Sequence, residues 1–147
     1  MPLNRPCRVL LVDDNPADIR LLKEACTQFG SPIELHTVED GEKALDFIYR
    51  RYKNADKPRP DIILLDINLP KINGQEVLRT IKDDPDLKEI PVLILSGSAL
   101  IKDVRSAYDH HANAYLQKPS DLGDYFHLVS QLRHFWLQVA ALPATSA

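Results

Sequence analysis

Three carboxylates, a hydroxyl and an ammonium each follow a short aliphatic run of this chain. Asp13 and Asp14 come after RVLLV, Asp66 after IILL, Ser96 after VLIL, and Lys118 after AYLQ. Carboxylates held close together repel one another, which raises their pKa values unless a cation intervenes. Oxygen ligands at this low count suit Mg²⁺, which keeps several waters and shares its coordination shell with phosphate oxygens.

The lysine completes the chemistry that these acids suggest. While it is charged, Lys118 cannot ligate a metal, so its ammonium should face an anion. A carboxylate nucleophile beside a divalent cation and a lysine can form an acyl phosphate. In-line attack then requires mainly charge neutralisation and positioning. Because no Walker-type or GxGxxG glycine loop follows a strand, the expected phosphoryl donor is another protein or a small acyl phosphate.

Each of these residues also has a common structural explanation. An Asp after a strand often caps a helix, and a Ser at a strand end often forms a turn. Any one residue alone favours that explanation, because short motifs have high false-positive rates. All of them together, each at a strand end, are hard to explain by capping, so we interpret them as one site.

The elements that position these residues follow from the hydrophobic pattern. Five runs have strand length and character: RVLLVD (8–13), IELHTV (33–38), DIILLD (61–66), PVLILS (91–96) and NAYLQ (113–117). The first, third and fourth are continuously apolar, as in parallel strands covered on both faces, whereas the second alternates and predicts an edge. Amphipathic helical patterns follow the strands, beginning after Asn15-Pro16, near Gly41, at Asn73, around 101 and from about Ser120.

Five consecutive βα units predict a doubly wound α/β sandwich. In such a fold the carboxyl ends of the strands share one edge of the sheet, and ligands bind there. We expect the first helix to end at Gly30, the polar stretch 53–60 to form a loop, and the tail 143–147 to fray. A chain of 147 residues is long enough for one domain with a substantial core.

Composition excludes several function classes. The chain is 44% hydrophobic and 27% charged with a net charge of -3, and it has no basic stripe for nucleic acid. The apolar run 9–12 is too short for a signal peptide, and no stretch approaches a membrane span. Cys7 and Cys26 lack metal or redox spacing, which favours a reduced, cytoplasmic protein.

Four segments carry a family resemblance: VLLVDDNP, DIILLDINLPKING, PVLILSGS and AYLQKP. In this order and spacing, over roughly residues 6 to 140, the chain resembles the receiver domain of two-component response regulators. The resemblance implies the flavodoxin-like receiver fold, a five-stranded parallel sheet in the order 2-1-3-4-5 with five helices. It also implies a single receiver domain over residues 1–147, with a short tail and no output domain.

The same resemblance implies a role for each acidic residue. Asp66 is the phosphoacceptor. Asp14 binds Mg²⁺ directly, Asp13 binds it directly or through water, and Asn68 offers its backbone carbonyl. These residues form the expected metal site, with Mg²⁺ as the expected cofactor.

The remaining site residues are expected to act on the phosphoryl group. By the resemblance, Lys118 pairs with it, Ser96 donates a hydrogen bond to it, and the bond between Lys118 and Pro119 is cis, which proline permits. Tyr115 matches the aromatic residue that swings inward when the serine hydroxyl moves. A plain half-buried strand tyrosine is the alternative for Tyr115.

Further stretches are similar to the stand-alone response regulators that partner cyanobacterial phytochromes: the long loop before Asp61, YDHHANAYLQKPSDL and HFWLQVAALP. The resemblance implies that a histidine kinase, of the phytochrome kind, phosphorylates Asp66. Phosphorylation would then reshape the face of helix four, strand five and helix five, toward an unknown downstream protein or a second copy. Phe135 and Leu142 lie off the main stripe of helix five, so they form either a dimer contact or a cover for the core.

Two other functions compete with this one. A receiver fold could act as a docking module whatever its phosphorylation state, although the intact acidic set argues against that. A magnesium-dependent phosphohydrolase would need a general acid two residues after its nucleophile, where Asn68 cannot give up a proton. We therefore expect no enzyme, only Mg²⁺-dependent self-phosphorylation and slow autodephosphorylation.

Overall fold

Five parallel strands form one sheet in the computed structural model, which describes residues 5–28, 33–51 and 54–143. The strand order is β2-β1-β3-β4-β5, so the predicted doubly wound topology is confirmed. Adjacent strands pair in parallel register, for example Val12 with Leu65 across β1 and β3. The strands are β1 (Cys7–Val12), β2 (Ile33–Val38), β3 (Ile62–Leu65), β4 (Val92–Ser96) and β5 (Ala114–Gln117).

In the described part of the chain, five α-helices connect and cover the strands. They are α1 (Pro16–Gln28), α2 (Gly41–Ile48), α3 (Gly74–Asp83), α4 (Ile101–Asp109) and α5 (Leu122–Leu132), and α5 continues into a π-helical segment, Arg133–Val139. The side chain of Asn15 accepts hydrogen bonds from Ala17 and Asp18, as an N-cap followed by an N1 proline should. The predicted end of this helix at Gly30 lies outside the described residues.

The apolar core lies on both faces of the sheet. Alternate residues of β1 point to opposite sides: Leu10 and Val12 pack with α2, α3 and α4, whereas Val9 and Leu11 pack with α1 and α5. This double burial explains why the central strands are continuously apolar. Leu142 packs against the cluster formed by the sheet, α1 and α5, and it covers that part of the core.

Helix α3 begins unusually close to strand β3. A side-chain carbon added at Gly74 would lie 2.2 Å from the carbonyl oxygen of Asp66, so only glycine fits there. The N–H of Gly74 also donates to the carbonyl of Ile67 at 3.1 Å. The first residues of α3 therefore pack directly against the main chain that follows the carboxyl end of β3.

Strand β5 forms the edge of the sheet opposite β2. Its Tyr115 N–H donates to the hydroxyl oxygen of Tyr108, which reaches over from α4, at 3.1 Å. A side chain of α4 therefore covers a main-chain donor of the edge strand. None of the described helices is long and apolar enough to cross a lipid bilayer.

Candidate functional site

Three carboxylates converge where β1 and β3 end. Asp13, Asp14 and Asp66 each offer an oxygen, and these oxygens lie within 4.8 Å of one another. Strand pairing brings them together, because the N–H of Asp66 donates to the carbonyl of Val12 at 2.9 Å. Asp13 and Asp66 are only 1% and 5% exposed, whereas Asp14 faces solvent. Three carboxylate oxygens with one open side suit a hydrated divalent cation.

Lys118 extends its ammonium into this acidic group. Its main-chain N–H donates to the carbonyl of Ser96 at 2.8 Å, which fixes the loop after β5 against β4. Its Nζ lies 2.8 Å from Asp66 and 2.9 Å from Asp13. Burial alone would lower the pKa of Lys118, but hydrogen bonds to the surrounding carboxylates outweigh it and raise that pKa above its usual value. The lysine is therefore charged, as the predicted pairing with an anion requires.

The peptide bond that follows Lys118 corrects one expectation. It is trans to Pro119, since the described residues contain no cis peptide bond, and the predicted cis bond is wrong. The trans isomer is the lower-energy form of most bonds that precede proline. The ammonium reaches the carboxylates with this trans bond in place.

Asp18 is a site residue that the sequence analysis missed. It lies in the first turn of α1, and its Oδ2 is 3.0 Å from the Nζ of Lys118. Its other oxygen, Oδ1, accepts a hydrogen bond from the hydroxyl of Tyr125 at 3.2 Å. Tyr125 is fully buried on α5, and its burial, together with Asp18, raises the pKa of its phenol. A signal was present, because a helix that follows the acidic pair begins at the same edge of the sheet.

Hydrogen bonds fix the carboxylate of Asp66 on both oxygens. Oδ1 accepts the N–H of Asn68 at 3.0 Å, and Oδ2 accepts from Lys118. Asn68 itself is exposed, next to the acidic group. By contrast, burial raises the pKa of Asp13, an effect that the N–H of Asn15 and the ammonium of Lys118 only partly offset. The group carries more negative charge than its ammonium balances.

Ser96 and Tyr115 are linked through the loop after β4. Ser96 is fully buried, and its Oγ accepts the N–H of Ser98 at 3.1 Å. The carbonyl of the same Ser98 accepts the hydroxyl of Tyr115 at 2.8 Å. The Tyr115 ring is half-buried against the core. Two hydrogen bonds therefore connect Ser96, at the carboxyl end of β4, with Tyr115 on β5. The switching role of Tyr115 stays a prediction.

Comparison with known proteins identifies the family. The response regulator receiver domain model matches residues 9–130. The chain belongs to the response regulator receiver family. Receiver domains accept phosphoryl groups from histidine kinases and are phosphoacceptors rather than classical enzymes. The family resemblance expected from the four sequence segments is thereby confirmed.

Several relatives are similar to this receiver over nearly its whole length. The response regulator Rcp1 of Synechocystis sp. is 43% identical over 141 residues, covering 96% of both chains. The structure of the phosphorylated cyanobacterial phytochrome response regulator RcpA is 45% identical, with a TM-score of 0.89 over 95% of this chain and 99% of that one. The Mn²⁺-bound form of Rcp1 is 43% identical, with a TM-score of 0.87 over 95% of this chain and 100% of that one.

Proposed function

We propose that this receiver is a phosphorylation-operated signalling switch whose phosphoacceptor is Asp66. The observation that carries the proposal is the position of its carboxylate. Asp66 faces the ammonium of Lys118 at 2.8 Å and also belongs to the group with Asp13 and Asp14. A buried carboxylate with a cation site on one side and an ammonium on the other suits attack on phosphorus.

The chemistry assigned to Asp66 is a simple exchange of bonds. An oxygen of Asp66 forms the new bond to phosphorus while the bond between phosphorus and the imidazole nitrogen of the donor breaks. The electron pair of the broken bond remains on the imidazole, which leaves neutral when its ring carries a proton. In this proposal Lys118 pairs with the transferred group and balances its charge, and Ser96 donates its hydroxyl hydrogen to a phosphoryl oxygen.

Magnesium is the proposed metal for the acidic group. The donor set fits the ion, because three carboxylate oxygens lie within 4.8 Å of one another and one carboxylate faces solvent. Asp13, Asp14, Asp66 and the main-chain carbonyl of Asn68 would hold it. Bound there, magnesium supplies charge neutralisation for the carboxylates and the phosphoryl oxygens. The Mn²⁺-bound relative supports a divalent cation of this kind.

The proposed output runs from Ser96 to α4 and β5. We propose that the Ser96 side chain rotates toward a phosphoryl oxygen, which moves its Oγ away from the Ser98 N–H whose hydrogen bond it accepts in this structure. The carbonyl of Ser98 accepts a hydrogen bond from the Tyr115 hydroxyl. A movement of Ser96 and Ser98 would therefore alter the face formed by α4, β5 and α5. We propose this face as the contact for a downstream protein or for a second copy of the chain.

The proposed donor is a histidine kinase of the phytochrome kind. Support comes from RcpA, which is described as a phytochrome response regulator and is 45% identical. A cytoplasmic location follows from such a donor. We further propose that residues 1–147 act as one receiver domain, since the family model spans residues 9–130.

Intact-mass spectrometry tests the proposal. The protein is incubated with acetyl phosphate and Mg²⁺ beside an Asp66→Asn control. We expect a single phosphate adduct on the wild type that requires Mg²⁺ and is absent from the control. No adduct on the wild type, or an adduct that persists in the control, would refute Asp66 as acceptor and favour a docking module that works without phosphorylation.

A further inference from the structure

The ammonium of Lys118 has three carboxylate partners at nearly equal distances. Its Nζ lies 2.9 Å from Asp13, 3.0 Å from Asp18 and 2.8 Å from Asp66. The ammonium donates hydrogen bonds to Asp18 and Asp66 and forms an ion pair with Asp13. The side chain of Lys118 is 13% exposed, and its position is therefore set by these carboxylates rather than by water.

Two of these three partners belong to the group that would hold a cation. Asp13 and Asp66 share it with Asp14, and Asp66 is also the proposed phosphoacceptor. An ammonium and a divalent cation repel each other. When a cation binds, the contacts of Lys118 with Asp13 and Asp66 must therefore weaken. Asp18 stands outside the group and has no such conflict.

A buried hydroxyl fixes the carboxylate of Asp18. Its Oδ1 accepts from Tyr125 at 3.2 Å, which leaves Oδ2 for Lys118. Asp18 also sits in the first turn of α1, where the helix dipole favours a negative charge. Two elements, α1 and α5, therefore orient one oxygen toward the ammonium before any ligand arrives.

We infer that Asp18 is a positioning residue that keeps the ammonium of Lys118 over Asp66 while metal and phosphoryl group bind. The same ammonium position satisfies Asp18 and Asp66 together, so Asp18 supports the reactive arrangement and does not draw the lysine away from it. The inference rests on the proposed function, because it assigns Asp18 a part in phosphorylation of Asp66.

The first test is the rate of phosphorylation by acetyl phosphate with Mg²⁺. We expect Asp18→Asn to slow adduct formation about tenfold, the effect of losing one charge-assisted hydrogen bond. Glu24→Gln is the matched control, since it removes one negative charge from the exposed side of the same helix and should keep the wild-type rate. Tyr125→Phe keeps the Asp18 charge but frees its second oxygen, so we expect a slowing of about threefold.

A double-mutant cycle separates positioning from a general structural role. In a Lys118→Ala background, Asp18→Asn should cause no further loss, because the ammonium that it positions is gone. An unchanged rate for Asp18→Asn, or an equal loss with and without Lys118, would overturn the inference. A wild type that forms no adduct would instead refute the proposed function.

A spectrum of the lysine ammonium groups gives a reading that does not depend on the reaction. In ¹H–¹⁵N spectra, the Lys118 ammonium of the wild type should give a distinct, slowly exchanging signal both without metal and with Mg²⁺. In Asp18→Asn we expect that signal to disappear when Mg²⁺ is added, and Glu24→Gln should keep it. A signal that survives Mg²⁺ in Asp18→Asn would contradict the positioning role even if the rate falls.

Discussion

Asp61 and Asp66 flank strand β3 at its two ends and are almost equally buried, at 7% and 5% exposure. Both carboxylate oxygens of Asp61 accept hydrogen bonds from Arg5, whose two terminal nitrogens lie 2.7 and 3.0 Å away. The N–H of Arg8 adds a third hydrogen bond at 2.8 Å. One carboxylate thus meets one guanidinium in a bidentate pair, the geometry that both groups favour.

Among the described residues, Asp66 has no guanidinium partner of this kind. It shares the ammonium of Lys118 with Asp13 and Asp18, and Asp14 adds a further carboxylate nearby. The two ends of one strand therefore differ in charge balance and not in burial. A buried acid with its own counter-ion stabilises the fold, whereas buried acids that outnumber their counter-ion invite an external cation.

The largest expected difference between the two acids is chemical. Asp66→Asn should abolish the phosphate adduct completely, because an amide oxygen is too weak a nucleophile. Its free energy of unfolding should change by less than about 1 kcal/mol, since reduced repulsion offsets a weaker contact with Lys118. Mass spectrometry and urea unfolding of the same sample check both parts. A large loss of stability would place Asp66 in the same class as Asp61.

Asp61→Asn should do the reverse. Removing this carboxylate leaves the Arg5 guanidinium without its bidentate partner and should lower the free energy of unfolding by about 2 kcal/mol. Phosphorylation by acetyl phosphate should remain at the wild-type rate. The exposed Asp56 offers a control, because Asp56→Asn removes the same charge and should leave urea unfolding unchanged. Impaired phosphorylation of the folded Asp61→Asn variant would break the comparison.

A smaller effect should follow from changing the cation at the amino end. Arg5→Lys keeps the charge beside Asp61 but loses the planar fork that meets both of its oxygens. We expect the free energy of unfolding to fall by about 1 kcal/mol. Thermal unfolding of this variant beside Asp61→Asn measures the difference. A loss as large as that of Asp61→Asn would mean that the bidentate geometry, not the charge, stabilises this end.

The smallest expected effect is the pH dependence of the acidic group without metal. Because burial raises the pKa of Asp13, the stability linked to its proton is complete below the ordinary aspartate pKa of about 3.9. That stability is lost as the pH rises through the raised pKa. Asp13→Asn lacks this titrating proton, so the wild type should lose stability relative to the variant as the pH rises above about 4. Urea midpoints measured in EDTA test this, and a pH-independent difference would contradict it.

The convergence of the acidic residues was predicted from period and position, whereas the order of the strands was predicted from the family resemblance. Continuous apolar runs indicate strands buried on both faces, and parallel strands place their carboxyl ends at one edge. Sequence places the start of α1 at the same edge as the acidic pair, but the contact between Asp18 and Lys118 also depends on how α1 packs against α5, and it was therefore missed. The isomer before Pro119 was wrongly predicted, since two forms of similar energy are separated only by tertiary context.

The counter-ion of Asp61, at the amino end of β3, could not be predicted from the sequence either. In the sequence it reads as the first residue of the strand run DIILLD, symmetric with Asp66. Only the tertiary structure reveals that Arg5, 56 residues away, neutralises it. Local sequence predicts that an acid is buried, but its counter-ion is a long-range property.

The hydroxyl of Tyr108 on the Tyr115 N–H has a consequence for self-association. Edge strands with unpaired donors are templates for aggregation and for the addition of a foreign strand. At β5 one such donor is occupied by the Tyr108 hydroxyl of α4, so an incoming strand must first displace that hydroxyl. The Tyr108 hydroxyl therefore hinders edge-to-edge pairing at this position, and a movement of α4 away from β5 would leave the Tyr115 N–H open to pairing with another strand.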